Sequence, residues 1–182
     1  MNNRGKGLLI WIVSTFLIAA LVHVAAVWAL PYGIIYGAQR TLANRSKDKT
    51  IFFSDRPTPA DHSFRHLARN LIYSAASFDV SKSALSIEAP ITDSYMSITL
   101  YAADGEAFHT ANDQQIEGDL LNLTLIGPDN AQRNTPTSGK IISPTSRGIV
   151  VLRYFVRDDD HLPIVKSKQT QLKLHYENGQ TL

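Results

Sequence analysis

Two hydrophobic periods divide this chain. From Leu8 to Leu30 all 23 residues are uncharged, and thirteen of them are Leu, Ile, Val or Phe. A helix of that length spans about 35 Å, more than the roughly 30 Å of a hydrocarbon core. Those thirteen side chains favour insertion by about 4–8 kcal/mol. Ser14, Thr15 and His23 oppose it, but Ser and Thr can bond back to the helix and a neutral histidine costs far less than a charge. No face of the run is polar, which separates it from the core helix of a soluble protein. The pattern predicts a transmembrane helix over 8–30. Beyond Pro59 the period becomes two. Leu85, Ile87 and Ala89 alternate with Ser86 and Glu88, and Met96, Ile98 and Leu100 with Ser97 and Thr99. Leu121, Leu123 and Leu125 alternate with Asn122 and Thr124 in the same way. Each reads as a half-buried strand.

Turn chemistry separates these strands at Ala103-Asp104-Gly105, Gly127-Pro128-Asp129-Asn130 and Thr137-Ser138-Gly139. Ile149–Val156 is apolar at nearly every position and predicts a central strand covered on both faces. One helix is expected, capped by Asp158-Asp159-Asp160, opened by Leu162-Pro163 and running to about Leu172. Leu172–Tyr176 alternates again and predicts an edge strand. Short strands, frequent turns and little helix predict an all-β outer domain, an antiparallel sandwich or barrel-like fold.

Charge changes this picture in one respect. The net charge of +2 equals Arg4 and Lys6, because the chain beyond Pro31 holds 16 basic and 16 acidic residues. A nucleic-acid surface needs a basic stripe, and a balanced outer domain argues against one. The two basic residues instead set topology: the positive-inside rule puts residues 1–7 in the cytoplasm and the C-terminal part outside, the periplasm in a bacterium. Val27-Trp28-Ala29 resembles a weak processing site, but cleavable apolar regions run about 7–15 residues, so a retained anchor is expected. Residues 31–60, with the polar run Asn44–Lys49 and the prolines of Arg56-Pro57-Thr58-Pro59, are expected to be a juxtamembrane linker, in which the apolar Ile34–Leu42 can continue or restart the helix, and 61–182 the periplasmic β-rich domain. Cysteine is absent, which excludes disulfides, thiolate metal sites and a cysteine nucleophile.

Several segments follow one another in a recognisable order. They are Asn70-Leu71-Ile72-Tyr73-Ser74, Phe78-Asp79-Val80-Ser81, Ala89-Pro90, Asp93-Ser94-Tyr95, Leu125-Ile126-Gly127-Pro128, Ile142-Ser143-Pro144-Thr145, Val151-Leu152-Arg153 and Leu162-Pro163. Over about Ser63 to Leu174 the chain resembles the bacterial domain of unknown function 1254 family, in particular its short membrane-anchored members. The resemblance implies a β-rich domain and a companion β-rich protein as partner. It supplies no reaction: Asn70 stands where members often carry an aspartate, so a role of that aspartate does not carry over.

The chemistry-bearing residues are few. His62 and His66 lie four apart, but the run lacks a third zinc ligand and a zinc-protease glutamate, and His109, His161 and His175 are scattered. No metal and no cofactor are expected. The Asp158–Asp160 triplet lacks the spaced ligands of a calcium loop, and no Gly-x-Ser-x-Gly elbow occurs. Glu117 and Asp119 read as a solvated strand edge rather than a glycosidase pair. Arg153 stands out because it lies inside an apolar run, where a guanidinium needs a partner. One reading pairs it with Asp79 to fix two strands; the other makes Tyr73, Asp79 and Arg153 an anion- or carboxylate-binding pocket. The expected function is an interaction or ligand-binding module on a single-pass inner-membrane protein. The alternative, a hydrolase-like envelope enzyme acting on carbohydrate or a small carboxylated molecule, requires those three residues to converge.

Overall fold

The computed structural model describes residues 3–45, 51–57, 68, 70–116, 118–129 and 139–177. Helix α1 (Asn3–Arg45) is 43 residues long and carries Pro31 inside it. At about 1.5 Å per residue it measures roughly 64 Å, about twice a hydrocarbon core. Its stretch Gly5–Leu42 is apolar and long enough to cross a membrane, and the most apolar part is not buried against the protein. Thr15 Oγ1 donates back to Trp11 O at 2.9 Å, so this hydroxyl is satisfied within the helix. The described residues of the linker expected at 31–60 are therefore mostly regular structure. The helix continues through Pro31 to Arg45, and Ile51–Phe53 forms strand β1. Proline removes one backbone bond, but the stripe of Pro31, Ile35, Ala38, Gln39 and Leu42 is half-buried where α1 crosses the sheet.

Among the described residues nine strands form two sheets. The first has the order β1-β2-β8-β4-β5, where β2 is Leu71–Asp79, β4 is Met96–Ala102, β5 is Ala107–Asn112 and β8 is Arg147–Phe155. All its pairings are antiparallel. The second has the order β7-β6-β3-β9, built from β3 (Leu85–Pro90), β6 (Leu120–Ile126), β7 (Lys140–Ile142) and β9 (Lys173–Tyr176). Only β6 and β7 run parallel. Ile72, Ile98, Leu100, Val150 and Leu152 of the first sheet share one buried cluster with Leu85, Ile87, Leu121, Leu125 and Leu174 of the second. The fold is thus an all-β sandwich preceded by a long apolar helix, as the periodicity predicted.

Strand β8 is central, and β9 is an edge, also as expected. Helix α2 (Leu162–Gln169) starts at the predicted place and ends three residues early. Its acidic cap takes another form: the side chain of Asp158 accepts from His161 N–H at 2.8 Å, one turn ahead of the helix, which has no side-chain cap of its own. Asp159 pairs with Arg56 instead. At the opposite end of the sandwich, Gln39 Nε2 donates to Gly148 O at 3.2 Å and ties α1 to β8.

Candidate functional site

Register fixes which side chains share the outer face of the first sheet. Tyr73 on β2 lies opposite Arg153 on β8, and Arg153 opposite Ser97 on β4. The next rows are Ala75, Val151, Thr99 and then Ser77, Ile149, Tyr101. Tyr73 and Arg153 are therefore neighbours, as the pocket reading required. Asp79 is not among them: it closes the far end of β2, six residues or about 20 Å from Tyr73, opposite Arg147.

The expected Arg153–Asp79 pair does not form. Asp79 Oδ2 accepts from Arg147 Nε at 2.8 Å, and Oδ1 from the Ser81 hydroxyl at 2.6 Å and the Ser81 N–H at 3.1 Å. Partial burial pushes the Asp79 carboxyl up, but the Ser81 and Arg147 hydrogen bonds outweigh it and hold it below its ordinary value. Directly opposite residues on an antiparallel pair are the closest partners available, which is why Arg147 takes this carboxylate.

Arg153 turns the other way, along β4. Its Nη1 donates to Thr99 Oγ1 at 2.8 Å and its Nη2 to Tyr101 OH at 3.0 Å. Among the described residues no carboxylate lies within ion-pair distance of it. A guanidinium has five N–H donors, so three remain after these two bonds. Ser97 Oγ, beside it and buried, has no hydrogen-bond partner among the described residues. The Tyr73 backbone is fixed by Ser54 Oγ, which accepts its N–H at 2.8 Å, and by Gln169 Nε2, which donates to its carbonyl at 2.9 Å. The result is a half-buried, unneutralised cation on a bed of hydroxyls. Such a group can take a planar oxyanion through paired N–H bonds.

Sequence reasoning singled out Tyr73 and Arg153 and missed Ser97, Thr99 and Tyr101. Their signal was present: the polar phase of β4 consists of hydroxyl side chains, but alternation alone reads that phase as a solvent face. His109 was also passed over. It lines a groove of about 800 Å³ between β5 and β6, with Gln115, Ile116, Leu121, Leu123 and Lys140. Its Nε2 is buried without a partner among the described residues, and burial lowers its pKa, which favours the neutral ring.

A third cluster is structural. His161 is 3% exposed, its Nδ1 accepts from the Arg157 N–H at 3.2 Å and its Nε2 meets Asp93 Oδ1 at 2.8 Å. Because Nδ1 accepts, Nε2 carries the proton. Arg157 Nη2 reaches Asp93 Oδ2 at 2.7 Å. The hydrogen bond from His161, with the charge of Arg157, holds the Asp93 carboxyl below its ordinary value. Both ring nitrogens are engaged, so the cluster clips two loops together and leaves no free base. Among the described residues no three His, Asp or Glu side chains group as metal ligands. His62, His66 and Glu117 lie outside the described residues.

The family model described as "Protein of unknown function (DUF1254)" matches residues 48–176. The crystal structure of the VPA0106 protein from Vibrio parahaemolyticus superposes with a TM-score of 0.58 at 10% identity, covering 81% of this chain and 34% of that one. An uncharacterized protein from Burkholderia cenocepacia matches with a TM-score of 0.48 at 13% identity, covering 84% of this chain and 41% of that one. This chain thus spans between a third and two fifths of the solved structures it resembles. No curated protein matches it.

Proposed function

This chain belongs to the DUF1254 family, and on that premise we propose that it is a membrane-anchored ligand-binding and interaction module of the cell envelope. Its β domain faces the periplasm of a bacterium, its N-terminus lies in the cytoplasm, and α1 holds it in the inner membrane. Arg4 and Lys6 on the short side of the span support that orientation. The ligand is a small oxyanion, a carboxylate above all, received by Arg153 with Tyr73 and Ser97 beside it. The observation that carries this reading is the pairing of Arg153 with two hydroxyls and, among the described residues, no carboxylate. Elsewhere on the domain Asp79, Asp93 and Asp55 each meet a basic side chain.

A companion β-rich protein completes the assembly. The size of the structural relatives supports this, since about two thirds of the VPA0106 chain has no counterpart here. The enzyme alternative required Asp79 beside Tyr73 and Arg153, and Asp79 is engaged about 20 Å away.

Calorimetric titration of the full chain in nanodiscs with acetate, succinate and inorganic phosphate tests the ligand. Heat of binding that disappears in Arg153→Ala at an unchanged melting temperature supports the site. No binding by wild type, or loss of folding together with binding, overturns it. Native-level extraction in mild detergent tests the companion, and recovery of the chain alone overturns that part.

A further inference from the structure

The tip of the β4–β5 hairpin does not stand clear of α1. A Cβ built on Gly105 would lie 3.5 Å from Ile35 Cγ1, so the tip touches the helix there. From that contact a cleft of about 760 Å³ opens toward the N-terminus. Its helix wall runs from Pro31 back through Trp28, Val27 and Val24 to His23, and its other wall is Asp104–Glu106. A bilayer surface at Leu30 would fill this cleft with acyl chains pressed against two carboxylates and His23. Carboxylates in hydrocarbon are strongly disfavoured.

We infer that the Asp104–Glu106 tip and the helix stripe from Val24 to Tyr32 form the surface on which the β domain rests in the lipid headgroup layer. The hydrocarbon is then crossed by residues 5–24 rather than 8–30. This rests on the reading of α1 as a membrane span. Three observations support the shift. A core of about 30 Å needs about 20 helical residues, and 5–24 supplies that number. The helix remains an unbroken, exposed apolar surface across Val24, Val27 and Trp28, continuous with the span. Trp28 and Tyr32, whose rings lie 5.8 Å apart, fall where aromatic side chains collect at membrane surfaces. The shift also brings His23 to the edge of the hydrocarbon, and Lys6 reaches the opposite edge by extending its stem.

One consequence concerns the domain above. Strand β4 runs from Ala102 beside the tip to Ser97, about 17 Å, so Arg153, opposite Ser97, lies at the end of the strand remote from the resting surface.

The two tryptophans of the chain make the boundary measurable. With 5–24 in hydrocarbon, Trp11 lies about 5 Å from the bilayer centre and Trp28 about 20 Å; with 8–30 the depths are about 12 and 14 Å. The full chain is reconstituted in phosphatidylcholine vesicles as the single-tryptophan variants Trp28→Phe and Trp11→Phe. Fluorescence is quenched by lipids brominated at graded acyl depths or carrying a headgroup nitroxide. The expected result is a depth difference of about 15 Å, Trp11 answering to deep bromines and Trp28 to the headgroup probe. Equal depths overturn the inference, and absence of quenching at both residues overturns the span itself. The chain has no cysteine, so Glu106→Cys carries a single thiol-linked fluorophore. Quenching by the headgroup nitroxide is expected there, and no quenching by any lipid probe overturns the resting surface.

Discussion

Gly148 is the place where one methyl group should cost most. It sits on β8 opposite Phe78 of β2 and Ala102 of β4, under the end of α1 that Gln39 ties down. A Cβ at this position would stand 2.1 Å from Tyr101 O and 2.5 Å from Phe78 Cζ. The Phe78 ring can turn, but the Tyr101 carbonyl belongs to the β4–β8 ladder and cannot. Gly148→Ala must therefore push β4 and β8 apart by more than 1 Å, an overpacking that costs about 3 kcal/mol, the top of the usual range. Reduced freedom of the unfolded chain returns only about 0.4–1 kcal/mol, so destabilisation wins. For a domain of this size the net loss of about 2–2.6 kcal/mol corresponds to a fall in Tm of about 6–10 °C. Scanning calorimetry of the full chain in detergent reads it, with near-ultraviolet dichroism of the tyrosines as a second probe. Two controls sharpen the test. Gly33→Ala, on an exposed helix position with nothing within 4 Å, should leave Tm unchanged or raise it. Phe78→Leu in the Gly148→Ala background should recover only part of the loss, because the carbonyl contact remains. Wild-type Tm in Gly148→Ala, or full rescue by Phe78→Leu, refutes the reasoning.

Other outcomes follow from the same structure. Thr99→Val should cost about 1–2 kcal/mol in the wild type and close to nothing in an Arg153→Met background; additivity in that double-mutant cycle would show that the bond contributes nothing. Asp79 and Asp93 both titrate below their ordinary value of 3.8 in the folded chain. The folded state therefore binds fewer protons than the unfolded one, and the stability they contribute is complete above about pH 5 and declines as pH falls through the lower native values. Asp79→Asn should flatten that acid limb in a Tm-against-pH series, and an unchanged limb would contradict the assignment. Tyr154 is fully buried, and its hydroxyl lies close to the buried Ser74 hydroxyl without reaching hydrogen-bond geometry, so neither is satisfied among the described residues. Tyr154→Phe should accordingly be neutral or stabilising by up to about 1 kcal/mol, and a clear drop in Tm would show a bond that the geometry lacks.

Legibility in the sequence depended on what each side chain does to the pattern. Strands β3, β4 and β6 announce themselves because their buried phase is aliphatic and their other phase polar. Strand β2 does not, since Ser74 and Ala76 occupy buried positions while Leu71 and Tyr73 sit on the half-buried face. The two phases are nearly equal in hydropathy, and only the pairing with β8 tells them apart. β5 carries no aliphatic side chain larger than alanine in Ala107–Asn112, and β1 and β7 are three residues each, too short for any period to show. Past Pro31 the apolar residues of Ile34–Leu42 leave continuation or a restart of the helix open, and the structure takes continuation, with α1 packed on β8 and the hairpin. The site was legible as a residue type in an unexpected place. Its partners were not, because they follow from register: a one-residue slip between β4 and β8 would have turned Ser97, Thr99 and Tyr101 into the core.

Register also explains why the charge balance of the outer domain conceals its one informative charge. Sixteen acids and sixteen bases beyond Pro31 suggest that every charge has an answer. Locally many do: Arg147 faces Asp79 across β8 and β2, Arg157 shares Asp93 with His161, and Lys166 reaches Asp55. These pairs lie at strand ends and loops, where water screens them and each contributes little. Arg153 is the seventh of the nine residues of β8, flanked on both sides by strands whose facing positions are Tyr73 and Ser97. An acid at either position would have neutralised it at the closest range a sheet offers. The chain places the hydroxyls of Tyr73 and Ser97 there instead, while those of Thr99 and Tyr101 orient the guanidinium and leave its charge intact. Hydroxyls that hold a cation without cancelling it suit a group whose counter-charge arrives from outside the domain.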